Sequence, residues 1–338
     1  MRSKAQFLTK NRLIKGGKLM RHQLKTAFMA IAVSLVISVP AKADYPEKPI
    51  SLIVPFAAGG GTDVAARITA KYLSKELDTP VNIVNQGGGN SIPGTLSVLG
   101  ARADGYTLLF DSPATSSLHG LRADLPYELE KRSWGPMVVI NPYLYAVNGK
   151  SEWKTLADIA AAGVADPSAI KLGWLGGSSF TDTVNLKLLD VMGIDPGAVA
   201  KVPFNGSGPS MTALAGGHIN LSGGSLGAAI AFHQSGDIRI LALTGDDRLD
   251  TIPEVPTAKE VGFDVPMVGW NSLSGPAGLP DEVVARLETA VQAIIKNPEF
   301  VKEQTMAGNL PKYMPAEEVW PYVQQEVENI RILTTPSE

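Results

Sequence analysis

The chain has 338 residues, 44% of them apolar and 19% charged, with a formal net charge of −3. That length supports one or two domains around a sizeable core, and the composition excludes a disordered or coiled-coil chain. With no cysteine, thiol catalysis, disulfides, iron–sulfur clusters, cysteine-ligated zinc and a lipidated N-terminal cysteine are excluded as well. The histidines, His22, His119, His218 and His233, are too scattered for a metal site, so neither metal nor cofactor is expected. Residues 1–43 carry nine basic residues and no acid, which leaves 21 basic residues against 33 acids in the remainder. Such an acidic chain without a basic cluster is a poor nucleic-acid binder. Lys25 precedes an uncharged run from Ala27 to Val39, then Pro40 and the A-x-A triplet Ala41-Lys42-Ala43. These are the successive parts of a secretory signal peptide, too short to span a membrane. The expectation is cleavage after Ala43 and a soluble periplasmic protein from Asp44, with Met1 or Met20 as the start.

Residues 49–56 (PISLIVPF) form a nearly continuous apolar run, the mark of a strand buried on both faces. A helix follows, with Val64, Ile68 and Tyr72 four residues apart and Ala65, three before Ile68, on the same face. Further strands are predicted at 81–84, 106–110, 137–140, 143–147, 170–175, 199–204, 219–221 and 238–243. Helices are predicted between them near 91–102, 154–162, 181–191, 209–215 and 226–234. Two amphipathic helices close the chain. Asp281 is expected to cap the first, with Val284, Leu287, Val291 and Ile294 inward. The second starts at Ala316, with Pro321 as a point of kinking or a later start. This is an α/β protein with mostly parallel sheets, and its length favours two lobes.

Glycine-rich turns join strand to helix at Gly59-Gly60-Gly61-Thr62, at Gly176-Gly177-Ser178-Ser179 and at Asn205-Gly206-Ser207-Gly208. Successive glycines let backbone amides turn toward one point, and a helix opening adds unpaired donors and partial positive charge. Each turn suits an anion, phosphate or carboxylate. The first is equally a plain tight turn with Thr62 or Asp63 as a cap. In open α/β sheets ligands sit beyond the carboxyl ends of strands, so the three turns have the placement to share one cleft. No P-loop occurs. Gly223-Gly224-Ser225-Leu226-Gly227 matches the G-x-S-x-G of a hydrolase. However, His233 is the one histidine after it, and no acid lies between the two. The motif therefore reads as a Gly/Ser turn, with an exported hydrolase using Ser225 as the alternative. Trp270 lies in a polar stretch and is a candidate cleft residue.

Several blocks resemble a known family in matching order. They begin with Tyr45-Pro46-Glu47-Lys48-Pro49-Ile50 and Val54-Pro55-Phe56-Ala57-Ala58-Gly59-Gly60-Gly61-Thr62-Asp63. They continue through Asp104-Gly105-Tyr106-Thr107, Val202-Pro203-Phe204-Asn205-Gly206 and Leu214-Ala215-Gly216-Gly217-His218. The last are Pro253-Glu254-Val255-Pro256-Thr257 and Gly275-Pro276-Ala277-Gly278-Leu279-Pro280. The chain resembles the substrate-binding proteins of tripartite tricarboxylate transporters, the Bug/TctC family. The resemblance implies a type II periplasmic binding protein: residues 1–43 as signal, 44–142 plus 267–338 as one lobe, 143–266 as the other. It implies a small organic carboxylate held between the lobes by loop amides. Membrane transporter subunits would read the closed form, or a membrane kinase in a sensing variant, and the receptor would be a non-enzymatic monomer. Carried onto this sequence, the ligand-binding residues are Phe56, Ala57, Gly59, Gly60, Gly61, Thr62, Asp63 and Ser112 from one lobe. From the other come Gly176, Gly177, Ser178, Ser179, Phe180, Thr181, Phe204, Asn205 and Gly206, with Trp270 at the return crossing. Asp111 and Asp182 depart from the family pattern. If either reaches the cleft it would repel a second carboxylate; otherwise both cap helices or face water.

Overall fold

Residues apolar at every position need cover on both faces, and β1 (Ile50–Val54) is buried at all but Ser51. The computed structural model describes residues 45–334 apart from 57, 123, 177 and 178. The expected signal peptide and the start at Asp44 lie outside the described residues, as do Ala57, Gly177 and Ser178. From β1 the chain enters α1 (Gly61–Glu76) and returns as β2 (Val81–Asn85), parallel to β1 from Ile50↔Val81 to Val54↔Asn85. Next, α2 (Ile92–Leu99) brings β3 (Thr107–Asp111) to the other edge of β1, again in parallel. β4 (Ser133–Asn141) ends at Pro142, and β5 (Tyr143–Asn148) opens a second sheet.

That second body contains α3 (Leu156–Ala165), β6 (Lys171–Trp174), α4 (Phe180–Val191), β7 (Ala200–Pro203) and α5 (Ser207–Ala215). It is completed by β8 (Ser222–Ser225), α6 (Leu226–Ser235) and β9 (Ile238–Leu243). Its sheet runs β8-β5-β9, and the β6-β7 pair is tied on through Leu172 and Leu221. The chain then crosses back through β10 (Gly269–Gly275), α7 (Asp281–Ile295), α8 (Pro298–Met306), β11 (Leu310–Met314) and α9 (Ala316–Thr334). The first sheet therefore runs β11-β4-β10-β3-β1-β2.

Both sheets have a core on each face. Ile50, Leu52 and Val54 pack with Tyr72 and Leu73 of α1, Leu287 and Val291 of α7 and Phe300 of α8. On the reverse face, Ile53 and Leu109 meet Val98 of α2, while Met137 and Trp270 meet Val319 and Val323 of α9. In the second body Tyr145 and Val147 face one cluster with α3 and α4. Leu144 and Ala146 face another with α5 and α6. At ~25 cal/mol per Å² of apolar surface, this two-sided burial is the main favourable term holding each body together. The result is a two-lobed α/β fold.

Several expectations are corrected. The sheets are mixed rather than mostly parallel: β1–β2, β1–β3 and β6–β7 are parallel ladders, while the other five ladders among the described strands are antiparallel. β5 explains why, since it is buried on both faces yet antiparallel to both neighbours. Two-sided burial reports helix cover and carries no information on strand direction. The inward face of α1 is Ala65, Ala66, Thr69, Tyr72 and Leu73; Val64 is exposed and Ile68 half-buried, because the small residues let the helix approach the sheet. Asp281 is the first residue of α7 rather than its cap, which is Pro280, so its charge acts on the helix dipole. α9 continues through Pro321, near its start and on the exposed side. β10, α8 and β11 had no expectation.

Candidate functional site

A cavity of about 630 Å³ opens between the carboxyl ends of the strands, where the two crossings, Asn141–Tyr143 and Gly269–Asn271, also meet. Its walls are largely helix openings. α1 brings Gly61 and Thr62, α4 brings Ser179 as its N-cap together with Phe180 and Thr181, and α5 brings Ser207. α6 brings Ser225 as its N-cap, and the short 3-10 turn Pro113–Thr115 brings Ser112, Pro113 and Ala114. The first amides of a helix have no carbonyl four residues back, so each opening carries free donors and about half a positive charge. The described lining contains no Asp, Glu or Lys; its charged side chain is Arg122, and His119 stands beside it.

The glycine turn before α1 is held by Asp63. Its carboxylate accepts from Gly59 N (2.8 Å), Arg67 Nε (2.9 Å) and Asn85 Nδ2 (2.8 Å). Burial alone would raise this carboxyl, but Arg67, the Gly59 amide and Asn85 together hold it below the usual range. Gly59, at φ +84°, takes the left-handed conformation that closes the turn. Gly60, extended at φ −77°, is the N-cap, and its carbonyl receives Val64 N. Asp63 and Gly59 are thus occupied with each other, leaving Gly61 and Thr62 to face the cavity.

Of the expected ligand residues, the structure brings Phe56, Gly61, Thr62, Ser112, Ser179, Phe180, Thr181 and Trp270 to the cavity. Gly59, Gly60, Asp63, Gly176, Phe204, Asn205 and Gly206 are not among its lining. At the last loop the Phe204 amide is spent on Trp174 O (2.7 Å), Asn205 is exposed, and the residue that reaches the wall is Ser207. Neither Asp111 nor Asp182 lines the cavity. Asp111 is fully buried and paired with Arg132, and accepts from Ser116 and Ser274. Burial opposes its ionisation, but Arg132 and the hydroxyls outweigh burial and hold the carboxyl below its usual value. Asp182 is buried in the first turn of α4 and accepts from Leu175 N (2.8 Å).

The lining also includes Ser91, His119, Arg122, Asn141, Tyr143 and the 307–309 turn. Arg122 grips Asp124 through two bonds (3.0 and 2.8 Å), and His119 Nδ1 meets the Tyr127 hydroxyl. Burial pushes the Tyr143 hydroxyl up to about 12, with Thr181 opposing it. Ser225 did carry a signal, its glycine-flanked strand-to-helix turn, which is one more opening onto the same space. His233 is engaged elsewhere: Nδ1 receives Ile240 N and Nε2 lies 3.3 Å from Glu254. Ser91 and the 307–309 turn carried none, because their placement depends on packing distant in sequence. Among the described residues no group of three or more His, Asp or Glu is placed to hold a metal ion.

Residues 65–335 match the family model described as the tripartite tricarboxylate transporter family receptor. The chain belongs to this family. Relatives of this family receptor include a UPF0065 protein of Agrobacterium vitis, encoded in the TAR-I ttuE-ttuC' intergenic region. It is 29% identical over 294 residues, covering 86% of this chain and 84% of the relative. Protein BugT of Bordetella pertussis is 29% identical over 299 residues, covering 86% and 90%. Among solved structures, MatC from Rhodopseudomonas palustris with bound malate superposes with a TM-score of 0.71 at 25% identity, over 86% of this chain and 100% of that one. The structure of the periplasmic binding protein BugD gives 0.71 at 26%, over 86% and 97%. Among the described residues no helix is long and apolar enough to cross a membrane.

Proposed function

We propose that this family receptor works in the periplasm and captures a small organic carboxylate in the cavity. One carboxylate is held by the amides of Gly61 and Thr62 and by the openings of α4, α5 and α6. The observation that carries this reading is the convergence of several helix openings on one space whose described walls hold no acid. Charge-assisted bonds from backbone amides to an anion are worth ~1.5–3 kcal/mol each. MatC, the solved relative with malate bound, supports the ligand class. The lobes are residues 44–142 with 267–338, and 143–266, after removal of a signal at 1–43. The closed, occupied form is presented to membrane subunits of the transporter, and no chemistry is done on the ligand. Ser225 is a ligand contact.

The test is a thermal-shift screen of the purified mature chain against a carboxylate library that includes malate, followed by calorimetric titration. A ligand at 100 times its Kd stabilises the folded state by about 2.7 kcal/mol. A library in which no carboxylate raises the melting temperature would defeat the proposal.

A further inference from the structure

We infer that the ligand is an amphiphilic monocarboxylate, with one carboxylate and an apolar body. The inference deepens the receptor reading and rests on it. Leu118, Leu121, Tyr143 and Phe180 line the cavity with apolar side chains, and the fully buried Trp270 lies at its wall. Leu118 and Leu121 pack against the cluster that holds Tyr143 and Phe180, whose rings meet edge to face at 5.6 Å. Leu121 also packs against the cluster that holds Trp270. The surface therefore draws on residues from both sides of the Pro142 crossing.

The polar groups beside this surface already serve protein partners. Trp270, fully buried, gives its indole N–H to Glu326 at 2.9 Å. Asn271 donates to Asp111 O (3.0 Å), Asn141 to Asn309, and Asn309 in turn to Gln304 (2.7 Å). The Arg122 charge is offset by Asp124. A second carboxylate would lose its hydration here and find no unengaged cation among the described lining residues. A desolvated, unpaired charge is costly, whereas apolar surface laid on these walls is favourable. The volume points the same way: about 630 Å³ is the space of roughly 20 waters at ~30 Å³ each, far more than a four-carbon diacid displaces.

The experiment compares monocarboxylates with dicarboxylates by calorimetry on the mature chain: hexanoate against adipate, which match in length, and phenylacetate against malate. Hexanoate or phenylacetate should bind at least tenfold more tightly than adipate and malate. A smaller margin, or a preference for either diacid, overturns the inference and leaves the receptor reading standing. If none of the four binds while another library carboxylate does, the inference also falls alone. If no carboxylate binds, both fall. In a folded Leu121→Lys variant the new cation should narrow the hexanoate-to-adipate margin by several-fold, and an unchanged margin counts against the proposed wall.

Discussion

Asp63 and Glu326 are both buried carboxylates, and their surroundings move them in opposite directions. Asp63 has a guanidinium and two amides for company. Its stabilising contribution is present above the ordinary carboxylate pKa and is lost as pH falls through its lowered folded value. Asp63→Ala should therefore reduce stability by about 1–3 kcal/mol at neutral pH and loosen the Gly59 turn, weakening carboxylate binding. Urea midpoints and titrations of the variant check both, and unaltered binding would separate the turn from the site. Glu326 has donors, Trp270 Nε1 and Ser117 Oγ, but no cation, and burial pushes it up to about 7. The folded state then holds a proton that the unfolded chain releases from about pH 4.5. The stability tied to this group is full below that pH, declines as pH rises to about 7, and is flat above. At 1.36 kcal/mol per unit the decline is about 3 kcal/mol. Glu326→Gln keeps an acceptor for both donors and should remove most of this slope. Equal slopes in wild type and variant, from urea midpoints at pH 5 and pH 8, would refute the assignment.

At the scale of elements, the opening of α1 offers a clean test of binding by backbone. Gly61 is the first helical residue, where proline fits well, and a Cβ there meets nothing within 4 Å. Gly60 before it is already extended, as a residue preceding proline prefers. Gly61→Pro should leave the melting temperature within a few degrees while deleting one amide from the cavity. Carboxylate affinity should fall about tenfold or more, the equivalent of ~1.5 kcal/mol. A folded variant with full affinity would place the anion at another helix opening. The same element shows what periodicity conveys and what it misses. The helix is evident from its sequence, and Ala65 and Tyr72 of its expected face are buried, but Ala66 and Thr69 are small and do not stand out beside Val64 and Ile68.

At the scale of the whole molecule, the chain crosses between the two main sheets at Pro142 and again before β10, and both crossings line the cavity. The 307–309 turn before β11 reaches the opening of α6: a Cβ on Gly308 would come within 2.8 Å of the Leu226 Cβ. A ligand held by α1 on one side and α4 on the other makes contacts that an open form lacks, so it shifts the population toward closure. Solution scattering should show a smaller radius of gyration on adding a carboxylate found in the screen. Gly308→Val, crowded against Leu226 and strained at φ +84°, should weaken that ligand several-fold and reduce the change. A tight ligand with no change in scattering would sink closure as the reported signal.

The sequence by itself determined the α/β alternation, the glycine turns at strand ends and the acidic, cysteine-free character of the chain. These depend on local pattern: apolar runs, helical spacing, and glycine where the backbone must turn. It also singled out eight of the cavity's lining residues, most of which, such as Phe56, Thr62, Ser179 and Thr181, sit at strand-to-helix junctions. Tertiary structure alone decided strand direction, because β4, β5 and β10 read as apolar or polar runs whichever way their neighbours point. It alone decided that Asp111 is consumed by Arg132, 21 residues away, and that Glu326, on the last helix, stands behind Trp270. It brought Ser91, Arg122 and the 307–309 turn to one cavity. Those positions depend on how separate elements stack, and a side chain's partner across the core leaves no trace in the residues beside it.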